Sequence, residues 1–193
     1  MKIKQILGYS LLAGALALGA CSKPDSAAPA VAAKQAVSYE AVASQAKGFT
    51  VGAMMSSNVV YVFFDTQCPH CGHLWESSVA LHKKVKFVWI PIGMINATST
   101  AQGAAILTAA NPGALMTEHE ASLLAGKGGI SASSSISDDV AQSIKKNTQL
   151  LNSFGAESVP FLVAKNAKTG LTVSQDGALS TAALADFLGI EAP

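Results

Sequence analysis

The stretch "VVYVFFDTQCPHCGHLW", residues 59–75, constrains the fold more than any other part of the chain. Val59 to Phe64 is an unbroken β-branched and aromatic run, the pattern of a strand buried on both faces. After Asp65-Thr66-Gln67 the periodicity changes. Leu74, Ser78, Leu81 and Val85 recur at helical spacing, with Trp75, Val79 and His82 beside them, which predicts a helix from about Pro69 to Lys84. "VKFVWIPI", Val85 to Ile92, is a second apolar strand. Together these form a β-α-β unit with Cys68 and Cys71 at the strand-to-helix junction.

That junction has chemical consequences. Pro69 suits the first helical turn, where a missing N–H is no loss, and it pushes the preceding residue towards an extended backbone. Cys68 is therefore expected at the N-cap, with Cys71 one turn inside. Residues three apart in a helix have Cβ atoms about 5–6 Å apart, whereas a disulfide needs about 3.5–4.5 Å. A non-helical Cys68 closes that gap. The helix N-terminus carries unpaired N–H groups and a partial positive charge. A thiolate there is stabilised, with a pKa as low as about 3.5 in such motifs. His70 adds a donor or a positive charge. A stabilised thiolate is also a good leaving group, which makes the disulfide oxidising. Cys71, less exposed, is expected to be the resolving thiol.

Other uses of the pair fit less well. A disulfide closing so short a loop adds little stability compared with one closing a long loop. Zinc would draw on Cys68, His70, Cys71 and His73, but structural zinc takes two separated ligand pairs, and His82 and His119 form no second one. A c-type haem needs His directly after the second cysteine, where Gly72 stands instead. An inert pair on an unrelated fold is a minor reading. His73 reads as a helix-surface or packing residue, Trp75 and Trp89 as core or rim aromatics. His82, near the expected helix end, is assigned no function.

The N-terminal region reads as an address. Lys2 and Lys4 precede an apolar run from Ile6 to Leu18, then Gly19, Ala20 and Cys21. A basic start, a short apolar core and small residues describe a secretory signal, and the run is too short for a membrane-spanning helix. Leu18-Gly19-Ala20-Cys21 resembles the lipobox of bacterial lipoproteins, which implies cleavage after residue 20 and lipid on Cys21. Ser22 in place of Asp leans towards the outer membrane. Residues 21–38, rich in Ala, Ser and Pro, read as a flexible tether. Residues 39–193 are the size of one domain. The 13 basic and 12 acidic residues leave a net charge of only +1 and no basic cluster, which argues against a nucleic-acid partner.

The second half completes the pattern. An Ala-rich stretch, Thr98 to Gly129, reads as two or three short helices broken at Asn111-Pro112-Gly113 and at Gly126-Lys127-Gly128-Gly129. A further helix is expected from Asp138 to Phe154, closed by Gly155. A strand follows from Val159 to Ala164, then a hairpin partner from Leu171 to Ser174. The last helix runs from Ala182 to Leu188, capped by Ser180 or Thr181. The order is β-α-β, a helical insertion at about 98–153, then α-β-β-α.

With Cys-x-x-Cys at the first helix start, this α/β order resembles the thioredoxin fold. Within it the chain is similar to the periplasmic disulfide-bond (Dsb) family, specifically the DsbC/DsbG group. The stretches that carry the resemblance are "VVYVFFDTQCPHC", "VKFVWIPIG", "AAILTAANPGALM" and "FGAESVPFLVAKN", and it covers roughly residues 40–190. It implies a cis-proline at Pro160 facing the cysteines, with Val159 presenting its backbone to an extended substrate. It also implies a thiol:disulfide oxidoreductase with Cys68, Cys71, His70 and Pro69 at its centre and no cofactor. Its partners would be cysteine-containing periplasmic proteins and a membrane redox partner. Two departures stand out. Pro69-His70 looks like the strongly oxidising DsbA branch, and too few residues lie between Cys21 and Val59 for the DsbC/DsbG dimerisation domain. A monomer is expected, and the direction of electron flow is open. The alternative is a non-enzymatic lipoprotein of this fold that binds copper or a cytochrome-maturation partner.

Overall fold

The computed structural model describes residues 34–193. The signal segment 1–20, Cys21 and the tether to residue 33 lie outside the described residues. The chain forms, in order, α1 (Tyr39–Gln45), β1 (Phe49–Gly52), β2 (Val59–Asp65), α2 (Pro69–Val79), β3 (Lys86–Ile92), α3 (Ser99–Thr108), α4 (Pro112–Leu124), α5 (Asp138–Ser153), β4 (Phe161–Lys165), β5 (Thr172–Asp176) and α6 (Thr181–Leu188). The strands make one sheet in the order β1-β3-β2-β4-β5. β2 and β3 are parallel, joined by the α2 crossover, and the other pairings are antiparallel.

Period-two alternation divides β2 between two cores. Val60, Val62 and Phe64 face Leu74 and Trp75 of α2, Met116 of α4 and Leu184 of α6. Phe63 points the other way, with Val42 of α1 and Leu150 and Leu151 of α5. Both faces of the central strand are covered, which is why its sequence is continuously apolar rather than alternating.

Several boundaries differ from the expectation. α2 ends at Val79, not Lys84. The N–H groups of Leu81, His82 and Lys84 donate to the carbonyls of Ser78, Val79 and Leu81, tight i→i−3 bonds that turn the chain towards β3. The strand expected from Val159 begins at Phe161, because Pro160 has no N–H to give a ladder. The hairpin partner is shifted to Thr172–Asp176. α1 and β1 were not expected. Ser38 caps α1 by accepting from the Ala41 N–H at 3.1 Å, and β1 is an edge strand, with Phe49 opposite Trp89. The last residues of the expected tether lie against the body. Gln35 N–H donates to Ser153 O at 2.8 Å, Lys34 Nζ pairs with Glu157 at 3.3 Å, and Val37 packs on the second core.

Candidate functional site

Cys68 has extended backbone (φ −100°, ψ 109°) and is the N-cap of α2, with Pro69 at N1, His70 at N2 and Cys71 at N3. An N-cap side chain normally accepts from the N2 and N3 N–H groups. Here the acceptor position holds sulfur. In the thiol form the sulfur makes no cap hydrogen bond, and its proton is directed to Val159 O at 3.3 Å. The thiolate is a different matter. The Cys71 thiol donates to it, and the N–H groups of Cys71 and His70 and the charge of His70 add to that. Together these outweigh partial burial and bring the Cys68 pKa down from 9.0 to about 6.

Cys71 is the opposite case. It is fully buried, and burial first, then its hydrogen bond to Cys68 and the charge of Cys68, push its pKa well above the ordinary thiol value. One turn of one helix thus holds an acidic, partly reachable sulfur over a basic, enclosed one. Both are free thiols. The Val159-Pro160 bond is cis and immediately precedes β4, next to β2. His70 is exposed on the first turn, its ring 6.4 Å from that of His73. His73 is on the helix surface and pairs with Glu76 at 3.8 Å.

The loop before Cys68 is held by a buried polar clasp. Asp65, at the end of β2, is fully buried. Its carboxylate accepts four hydrogen bonds, from Gln67 N–H at 2.9 Å, Ser99 Oγ at 2.7 Å, Met94 N–H at 2.7 Å and Ile95 N–H at 3.0 Å. His119 of α4 is also fully buried. Its Nδ1 accepts from the Ile130 N–H at 3.2 Å, which leaves Nε2 as the donor to Thr66 O at 2.7 Å. Gln67 donates to Gln102 of α3 at 2.6 Å, and Gln102 donates to Gly128 O and Ile130 O, both at 2.8 Å. The helical insertion therefore fixes the approach to the cysteine pair. Among the described residues no group of three or more His, Cys, Asp or Glu side chains is placed to hold a metal ion, and no helix is long and apolar enough to cross a membrane.

No family model matches the chain. It is 32% identical over 141 residues to the thiol:disulfide interchange protein DsbG of Pseudomonas aeruginosa, covering 72% of this chain and 54% of that one. It is 30% identical over 104 residues to DsbG of Escherichia coli, covering 53% and 41%. The chain belongs to the Dsb family of the thioredoxin superfamily. It spans about half the length of these two curated relatives. Its thioredoxin-like fold is also that of the catalytic domain of Proteus mirabilis ScsC, with a TM-score of 0.56, 19% identity, and coverage of 77% of this chain and 95% of that one.

In this Dsb-family chain the structure brings Cys68, Pro69, His70, Cys71, Val159 and Pro160 to one end of β2 and β4. Cys21 lies outside the described residues. Sequence reasoning gave no role to Asp65, His119 or Glu120. Asp65 ends an apolar strand, and His119 and Glu120 share with Met116 the one helical stripe of α4 that faces inward. A polar pair on an apolar stripe was the available signal.

Proposed function

We propose that the chain is a thiol:disulfide oxidoreductase of the bacterial periplasm, acting on cysteines of other proteins. The observation that carries this is the split between the two thiols, with Cys68 lowered to about 6 and Cys71 raised. At pH 7 about nine tenths of Cys68 is then thiolate, the nucleophilic form. Cys68 attacks a substrate disulfide and expels one substrate thiolate, forming a mixed disulfide. Cys71 then attacks Cys68, releasing the second substrate thiolate and closing the Cys68–Cys71 bond. Run backwards, the same steps place a disulfide in a substrate. Val159 and Pro160, beside the Cys68 sulfur, would hold an extended substrate segment. His70 and the helix terminus tune the thiolate, and Pro69 at N1 leaves the N2 and N3 N–H groups to serve it. A membrane redox partner resets the pair, and lipid on Cys21 would tether a monomer to the membrane, the outer one favoured by Ser22.

The pKa also supports a direction. A thiolate one unit more acidic than the value of about 7 in thioredoxin is stabilised by about 1.4 kcal/mol. For a two-electron couple that is about 30 mV, which places this pair near −240 mV, far from the about −120 mV of the strong oxidant DsbA. Reduction or isomerisation of existing disulfides is favoured over donation, against the lean of Pro69-His70. The test has three readings on the soluble body: titration of Cys68, equilibrium with glutathione, and trapping by Cys71→Ser. A thiolate pKa near 6, a potential near −240 mV and an accumulating mixed disulfide are expected. A potential near −120 mV would reverse the direction. An ordinary thiol pKa with no exchange would end the oxidoreductase reading.

A further inference from the structure

Glu120 is a buried ionisable group that the steps above leave unused. It lies on α4 at 1% exposure, and neither carboxylate oxygen has a hydrogen-bond partner among the described residues. Burying such a group without a partner is unfavourable, so its place calls for a reason. The surroundings are shaped for it. A Cβ on Gly72 would lie 2.7 Å from Glu120 Oε2 and 3.1 Å from Leu124 Cγ. Only the absence of a side chain at 72, the residue after Cys71, lets the carboxyl reach the first turn of α2. The ionisable groups facing it are Cys68, the N-cap of α2, and Cys71 and Glu76 on α2 itself. The elements α3 and β1, which also pack on α4, carry no ionisable residue.

We propose that Glu120 is the internal acid–base partner of Cys71, taking its proton when Cys71 attacks and returning one when Cys71 leaves. This rests on the thiol:disulfide reading above. In the reductive direction the Cys71 S–H bond breaks, its proton goes to the Glu120 carboxylate, and the sulfur electron pair forms the bond to Cys68. The Cys68–substrate S–S bond breaks, and the substrate leaves as thiolate and is protonated by water. In the other direction a substrate thiolate attacks Cys68, the Cys68–Cys71 bond breaks, and Cys71 leaves with the electron pair and receives the Glu120 proton. General acid–base chemistry operates at hydrogen-bond distance or through one water, and Gly72 is the point of contact. Burial, followed by the charges of Cys68 and Glu76, holds the carboxyl at about 8, so both of its forms are accessible near neutral pH. Cys71 needs such help because its own pKa is high and it is closed to solvent.

The test is rapid acid quenching of the reduced protein after mixing with oxidised glutathione, comparing wild type with Glu120→Gln and Glu120→Met. Capture by Cys68, checked separately by iodoacetamide alkylation, should change by no more than about threefold, since its thiolate forms without Glu120. Decay of the glutathione mixed disulfide should slow about tenfold or more at pH 7 in both variants, the gap narrowing at high pH as hydroxide replaces the carboxylate. Normal capture with unaltered decay would overturn the assignment alone. Capture and decay slowed alike in both variants, with no change in pH profile, would overturn it in favour of packing. A wild type that forms no mixed disulfide would overturn the oxidoreductase reading and this assignment with it.

Discussion

Replacing Glu120 by Gln should make the protein progressively more stable, relative to wild type, as pH rises. The folded-state value of about 8 stands against an ordinary 4.5. Between those values the folded protein keeps a proton that the unfolded chain has released. Stability therefore falls with rising pH across that window. At about 1.36 kcal/mol per unit, and with the folded carboxyl itself half ionised at pH 8, the carboxyl removes about 3 kcal/mol between pH 4.5 and 7 and about 4 kcal/mol by pH 8. Cys68 acts in the opposite sense. Its folded value of about 6 against 9.0 means that stability is gained as pH rises above 6, but it does so in both proteins and cancels in their difference. The Gln amide has its own fixed burial cost of about 1–3 kcal/mol, so the slope with pH is the observable, not the offset. Urea unfolding under reducing conditions at pH 4.5, 7 and 8 reads it. With a slope near 2 kcal/mol per molar, the midpoint of the variant should gain about 1.5 M on wild type between pH 4.5 and 7. Midpoints that stay parallel would mean that Glu120 ionises freely in the folded protein. The reasoning from its burial would then be refuted.

His119 gives a second stability profile. Burial lowers its pKa below 6.5, so the unfolded chain takes up a proton first as pH falls, and stability is lost below about 6.5. His119→Gln should flatten that acid limb in urea unfolding, at a fixed cost of about 1–3 kcal/mol for the Thr66 and Ile130 groups it leaves poorly paired. Asp65→Asn turns an acceptor for four donors into a group with an N–H₂ among them. About 2–4 kcal/mol should be lost, together with faster amide exchange at Met94 and Ile95. Unchanged exchange at those two amides would refute the clasp.

The features most legible in the sequence share one property: their cause is local. Cys68 extended and Cys71 helical follow from Pro69 alone, and Ser180 and Gly155 act within one turn of the helices they bound. The two apolar strands were legible because burial on both faces leaves an unbroken run. β1 was missed because "FTVG" is four residues on a sheet edge, too short for alternation to stand out, and it is stabilised by pairing with β3, residues 86–89. The end of α2 was misjudged because Leu81 and Val85 remain fully buried after the helix has tightened into a turn, so burial kept the helical period alive past the helix. At the site, Glu120 itself and, apart from Gln67, the side-chain partners of Asp65 and Thr66 come from residues 94–130. No spacing rule connects those to the cysteines, because the contact exists only once the insertion folds back over α2.

The geometry of the site also explains why an unfavourable carboxyl belongs in it. The sulfur at the N-cap lies at the rim of the core, partly buried beside Val159 O, within reach of water that supplies and removes protons. A sulfur at N3 faces the core, where nothing does unless a side chain is placed there. Cys68 and Cys71 sit at these two positions. Any exchange that opens or closes their bond must deliver a proton into a volume that Trp75, Met116 and Leu124 keep apolar. A fully apolar residue at 120 would make the fold more stable and leave Cys71 without a proton source. A carboxyl bound to a fixed donor would stay ionised and return no proton. A carboxyl with no hydrogen-bond partner, raised by burial towards neutral pH and pressed against the glycine that follows Cys71, meets both requirements. Its stability cost is the expected signature of a group kept for chemistry.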